Sequence, residues 1–148
     1  MLHGTQQRSG SHWGNAVKRI KDGEIGKVNM VHAWNAWTTE QMFGNIGRPD
    51  DAVSPPAGVD YDMWLGPAPK RKFNPAHFHG TFYFFWDYAG GMVSDWAVHL
   101  FDIVMWAMGY GFTSVCTTGG KFVHDDMRET PDTASVVFEC PRYNLYYS

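Results

Sequence analysis

At 148 residues, 44% hydrophobic and 18% charged, the chain has the size and composition of one globular domain, not of a disordered segment. A net charge of -3 leaves no basic footprint for nucleic acid. The longest apolar run is interrupted by Asp95, His99 and Asp102, which excludes a membrane-spanning helix, and MLHGTQQRSG carries no signal-peptide pattern. Aromatic residues at 16% point to thick apolar layers, a large buried interface or a sugar-binding surface. Cys116 and Cys140 are too few for a disulfide framework and read as small buried residues of strand-like stretches.

Taken in chain order, Ser9 or Ser11 can cap a helix in which Trp13, Ala16, Val17 and Ile20 share one face. Asp22-Gly23 stops it. Lys27 to Thr38 reads as a long strand with bulk on both faces, hence one buried on both sides. Residues 40–60 form a long loop rich in Gly, Pro, Asp and Asn. Asp60 to Leu65 fits a single helical turn closed by Gly66-Pro67. His79 to Tyr88 reads as a second strand, turned by Ala89-Gly90-Gly91 into a helix that Gly109 and Gly111 end. Thr113 to Val123, Thr133 to Cys140 and Leu145 to Ser148 read as three more strands, the last leaving an exposed sheet edge.

The run GGMVSDWAVHLFDIVMWAMG carries the chemistry. In one helix, Asp95, His99 and Asp102 stand at i, i+4 and i+7 and share a face. A carboxylate and an imidazole four residues apart lie about 5–6 Å apart at Cβ. The rest of the run is apolar, and a helix apolar on most sides is buried. Ionisable groups set into a core are costly unless paired or used, which marks this stripe as a proton-transfer site. His77 and His79, with Asp95 and His99, form an alternative set of ligands for a divalent metal in a hydrolase or isomerase, without any ordered spacing to support it. Trp86 and Tyr83 could stack on a sugar face or simply pack in the core. Asp132 anchors a turn.

Five segments occur in order: GTQQRSG at 4–10, GEIGKV at 23–28, WLGPAP at 64–69, FFWDYAGGMVSDWAVHLFDIVMWAMG at 84–109 and RETPDT at 128–133. Together they resemble the C-terminal domain of the Gfo/Idh/MocA oxidoreductases, whose members pair an N-terminal Rossmann domain that binds NAD or NADP with a C-terminal substrate domain. The resemblance implies an α+β fold, a mainly antiparallel open sheet with helices packed on one face, of the glyceraldehyde-3-phosphate-dehydrogenase C-terminal type and truncated. Residues 1–8 would be the last strand of the Rossmann domain, at Leu2–Gln6, and residues 9–148 an incomplete substrate and oligomerisation domain.

The resemblance also assigns roles. His99 matches the acid/base that takes the hydroxyl proton of a sugar or polyol, and Asp95 its partner. Arg8, Gln7, Asn35, Trp86 and Asp102 are the substrate-side candidates. No metal is implied. The G-x-G-x-x-G fingerprint and the family's Glu-Lys-Pro motif are absent from the chain, so no cofactor is expected to bind it alone, and the isolated chain is expected to be inactive. A homo-oligomer through the sheet face is implied by the family. A non-catalytic carbohydrate-binding or dimerisation module is the alternative. The compartment stays open: cytoplasmic as the chain stands, periplasmic if an export signal lies upstream.

Overall fold

A computed structural model of the protein describes residues 4–36, 46–47 and 54–148. These divide between two compact units. The first takes Met1–Ala36, Trp96–Gly119 and Ala134–Ser148; the second takes Trp37–Asp95 and Gly120–Thr133.

The first unit is built on a four-stranded mixed sheet. Its strands are β1 (Met30–Ala33), β2 (Ser114–Gly120), β3 (Thr133–Cys140) and β4 (Tyr143–Tyr147), in the order β1-β4-β3-β2. β4 runs parallel to β1, with Val31 opposite Leu145, and antiparallel to β3, with Phe138 opposite Leu145. Thr113 donates its N–H to Glu139 and Thr117 its hydroxyl to Ser135, so β2 and β3 run in opposite senses. The alternation of β3 sends Val136 and Cys140 inward, and β4 does the same with Tyr143, Leu145 and Tyr147.

Two helices belong to this unit, α1 (Ser11–Lys21) and the longer one that carries His99 (Ala97–Met108). The second packs on the sheet through Phe101, whose ring meets Phe138 and Tyr147 edge-on at 5.1 and 5.3 Å. Each such pair adds about 0.5–1.5 kcal/mol beyond its buried area. α1 buries Val17 on its apolar face. It is capped by Gly10 and not by a serine side chain.

The second unit contains the short helices α2 (Tyr61–Leu65) and α3 (Met92–Asp95) and two 3-10 turns, Pro75–His77 and His79–Phe84. The helix of the first unit at Ala97–Met108 is therefore α4. α2 has the ends read from the sequence: the Asp60 carboxylate accepts from the Met63 N–H at 3.0 Å, and Gly66 closes it at φ +54°. The core is Phe84, Phe85, Ile46 and Ala76. Around it the Phe84 carbonyl accepts from Glu129 and Thr130 N–H, and the buried Arg128 pairs with Asp126.

Five expectations are corrected. His79–Phe84 is a 3-10 turn and not a strand. Its consecutive aromatics, Phe82 to Trp86, suit a strand by composition, but extended backbone returns only at Phe85. Asn74 caps the preceding turn through the Ala76 N–H at 2.9 Å, and His79 has φ +50°, incompatible with extension. Next, β1 spans only Met30–Ala33 and exposes Met30 and His32, so it is short and not buried on both faces; Trp37 and Thr38 lie outside the described residues. The strand near the C-terminus is not an edge: β4 lies between β1 and β3. Cys116 is exposed on β2, and only Cys140 is buried.

Finally, Met92–Met108 is not one helix. Ser94 Oγ bonds the Gly91 carbonyl at 3.3 Å and Asp95 Oδ2 at 3.1 Å, local bonds that compete with helix propagation. The run stops at Trp96 and restarts at Ala97. The expected strand at Leu2–Gln6 lies partly outside the described residues; Gln6–Ser9 forms a 3-10 turn.

Asp132 anchors its turn as expected. It accepts from the N–H groups of Phe122, Val123 and His124 and from the Thr133 hydroxyl. Partial burial pushes its carboxyl up, but these donors outweigh it and bring it to about 2, below the ordinary 3.8. A depressed carboxyl contributes stability that is fully present above its unfolded value and lost as pH falls through the folded one. Asp132→Asn should therefore flatten the fall of the urea midpoint between about pH 4 and pH 2. An unchanged acid limb would contradict the role.

Gly91 gives a second test. It is buried at φ +74°, and a Cβ there would lie 2.7 Å from Thr130 Cβ and Oγ1, with Thr130 fully buried. Gly91→Ala should cost about 2–4 kcal/mol, read from denaturant melts.

Candidate functional site

The site residues are distributed between the two units. In the first unit the 3-10 turn Gln6–Ser9 presents Arg8 to α4. Its guanidinium donates from Nε to Asp102 Oδ2 and from Nη2 to Asp102 Oδ1, both at 2.7 Å. Nη2 also donates to the Tyr110 hydroxyl at 2.9 Å. The guanidinium carbon lies 5.3 Å from the centre of the Trp106 ring. A bidentate arginine–carboxylate pair is the strong form of a charge-assisted hydrogen bond, and a ring face beneath it adds to the fixation. The Asp102 bonds, then the Tyr110 bond, hold the guanidinium above its ordinary value. Nη1 has no hydrogen-bond partner among the described residues, and the side chain is 36% exposed.

α4 places His99 one turn before Asp102, and Trp106 one turn after it. The His99 ring meets the Trp96 ring edge-on at 5.8 Å. Its Nδ1 is buried without a hydrogen-bond partner among the described residues. An unpartnered buried nitrogen costs about 1–3 kcal/mol, a cost seen where a ligand or a reaction supplies the partner.

The other candidates take separate places. Gln7 turns to α1, where its Oε1 accepts from the Trp13 indole at 2.7 Å. Asn35 donates its amide to the Tyr147 hydroxyl at 3.2 Å and its backbone N–H to the Ser148 carbonyl at 3.0 Å. Burial pushes the Tyr147 phenol up, partly offset by that Asn35 bond. Asp95 and Trp86 belong to the second unit. Asp95 ends α3 and accepts from Ser94, while Trp86 is 58% exposed and holds Glu129 through its backbone N–H at 2.9 Å. Tyr83 packs against the Phe84 cluster.

The metal alternative gains nothing. No group of three His, Cys, Asp or Glu residues that could hold a metal occurs among the described residues. The buried His77 ring meets Phe85 edge-on at 4.2 Å, and the His79 ring lies 3.9 Å from Phe78. Aromatic packing accounts for both histidines.

Sequence reasoning missed Trp106 and Tyr110. Trp106 stands at i+4 from Asp102, a spacing available in the sequence. Tyr110 comes just after the helix stop Gly109 and carries no periodic signal.

Among the described residues no helix is long and apolar enough to cross a membrane. No curated protein matches the chain. A family described as "Oxidoreductase family, C-terminal alpha/beta domain" matches residues 18–126, which include Asn35, Trp86, Asp95, His99 and Asp102 and leave out Gln7 and Arg8. That match covers most of the chain, and the α+β architecture agrees with it, so the chain belongs to the Gfo/Idh/MocA oxidoreductase family as a C-terminal α/β domain.

Proposed function

We propose that this chain supplies the substrate-binding and acid/base half of an oxidoreductase that acts on a CH–OH carbon of a sugar, polyol or sugar derivative. The observation that carries the reading is the α4 stripe: an imidazole with an unpartnered buried Nδ1, one turn from an arginine clamped by Asp102. Family membership supplies the reaction class.

Oxidising an alcohol removes the hydroxyl proton and, from the carbon, a hydride. An imidazole can act as a general base, and His99 is the imidazole on this stripe. Arg8 positions the substrate. Both Nη1 hydrogens remain for hydroxyl oxygens, and Asp102 and Tyr110 fix the fork so that little side-chain entropy is lost on binding. The clamp is close to neutral, which suits an uncharged polyol.

NAD or NADP is the hydride acceptor that the family resemblance implies, and this chain's residues do not fit it. The chain's one G-x-G step, Gly109-Tyr110-Gly111, stands at the C-terminal end of α4 and not at the end of a strand. Carbonyls and the negative end of the helix dipole face a ligand there, the reverse of a pyrophosphate cradle. Arg142 already donates to the Met108 carbonyl at 3.1 Å. The nicotinamide would be held by residues other than these, and subunit pairing through the sheet face remains a family-based proposal.

The binding half is testable on the chain itself. Titration with myo-inositol or glucose should move the His99 and Trp106 side-chain NMR signals, and Arg8→Lys, which cannot reproduce the bidentate clamp, should weaken binding about tenfold. Silent signals at both residues would sink the reading. In an assay with a dinucleotide-binding domain and NAD(P) supplied, His99→Ala should lower kcat about 10²–10⁴-fold. An unchanged kcat would remove His99 from the acid/base role.

A further inference from the structure

The WLGPAP segment takes no part in the α4 stripe, yet the second unit builds a cleft around it. Trp64, Phe82, Tyr88, Pro67, Pro69 and Asp87 are among its walls, and its volume is about 520 Å³. That is within the range of small-molecule sites, which are apolar and aromatic with a few placed polar groups.

The walls are braced before any ligand arrives. Asp60 caps α2 and sets Trp64 in it. Gly66 at φ +54° turns the chain, and Pro67 and Pro69 stiffen the segment after the turn. Lys70 pairs with Asp62 across the loop. Trp64 stacks on Tyr61 at 5.7 Å and meets Phe82 and Tyr88 edge-on at 6.3 and 5.3 Å. Arg71 pairs with Asp87 Oδ2 and sits over the Tyr88 ring, 5.7 Å from its centre. Preorganisation of this kind reduces the entropy lost when a ligand binds.

The chemistry narrows the ligand. An anion or a cation would have to break into the Arg71–Asp87 pair. A wholly apolar ligand would leave the edge of an ionised carboxylate without water or donors, which is costly. A ligand with an apolar face and outward hydroxyls meets neither obstacle: its C–H face lies on the rings, and a hydroxyl donates to the Asp87 carboxylate, one of the walls. We infer that this cleft is a second carbohydrate subsite, taking a neutral sugar ring. It stands apart from the His99 reading, since none of its residues belongs to the α4 stripe.

The test is a titration of the full 148-residue chain with glucose and cellobiose, monitored by NMR. The Trp64 indole N–H and the backbone amides of Leu65, Ala68, Asp87 and Tyr88 should shift and saturate, and cyclohexanol should not reproduce this. Phe82→Leu, which keeps apolar bulk without the ring, and Asp87→Asn, which removes the charge at constant shape, should each weaken the sugar about tenfold. His99→Ala should leave these shifts untouched, so failure of the α4 reading and failure of this one are distinguishable. No shift with either sugar, equal shifts with cyclohexanol, or wild-type affinity in Phe82→Leu would overturn the subsite.

Discussion

The bidentate bond between Arg8 and Asp102 fixes the candidate site face of the first unit. It ties a 3-10 turn near the N-terminus to the middle of α4, across 94 residues of sequence. Tyr110 extends the bond past the helix end, and Trp106 carries the guanidinium on its ring. The pair is partly screened, so its worth to stability is modest. Its effect is geometric. A planar fork held at two atoms cannot swing, and its remaining N–H groups keep one direction.

α4 can present that face because its opposite side is secured. Phe101 packs between Phe138 and Tyr147, rings from β3 and β4. β4 in turn is held on both sides, parallel to β1 and antiparallel to β3. The polar stripe therefore rests on the two interior strands of the sheet, β3 and β4, and a site built on a rigid element holds its geometry better than one on a loop.

The legible parts of the sequence were those decided by local chemistry. β3 has the limits its alternation gives, Thr133–Cys140, because Pro131 and Pro141 punctuate it. α2 is set by Asp60 and Gly66, and the turn of Asp132 by a carboxylate near a run of open N–H groups. What failed needed nonlocal information. The aromatic run at 79–88 suits a strand by composition, and the ring cluster it joins is not visible in its own sequence. The break at Trp96 depends on Ser94 turning to its own backbone. The central place of β4 is a matter of topology, which periodicity does not encode. Arg8 and Asp102 were each legible as candidate site residues. Their pairing was not, since no spacing rule links residues so far apart.

The break at Trp96 also changes which groups can serve the acid/base role. A continuous helix would set a carboxylate one turn before His99; Asp95 instead ends a helix of the second unit and takes a bond from Ser94. Within the first unit His99 has the Trp96 ring beside it, an unpartnered Nδ1 among the described residues and, one turn on, an aspartate paired with Arg8. The second unit repeats part of this chemistry: Arg71 pairs with Asp87 and lies over Tyr88, as Arg8 pairs with Asp102 and lies over Trp106. An arginine–aspartate pair on an aromatic ring is close to neutral yet rich in directed donors and acceptors, beside a surface that favours C–H groups. A ligand recognised by both arrangements would be uncharged, hydroxylated and flat on one face.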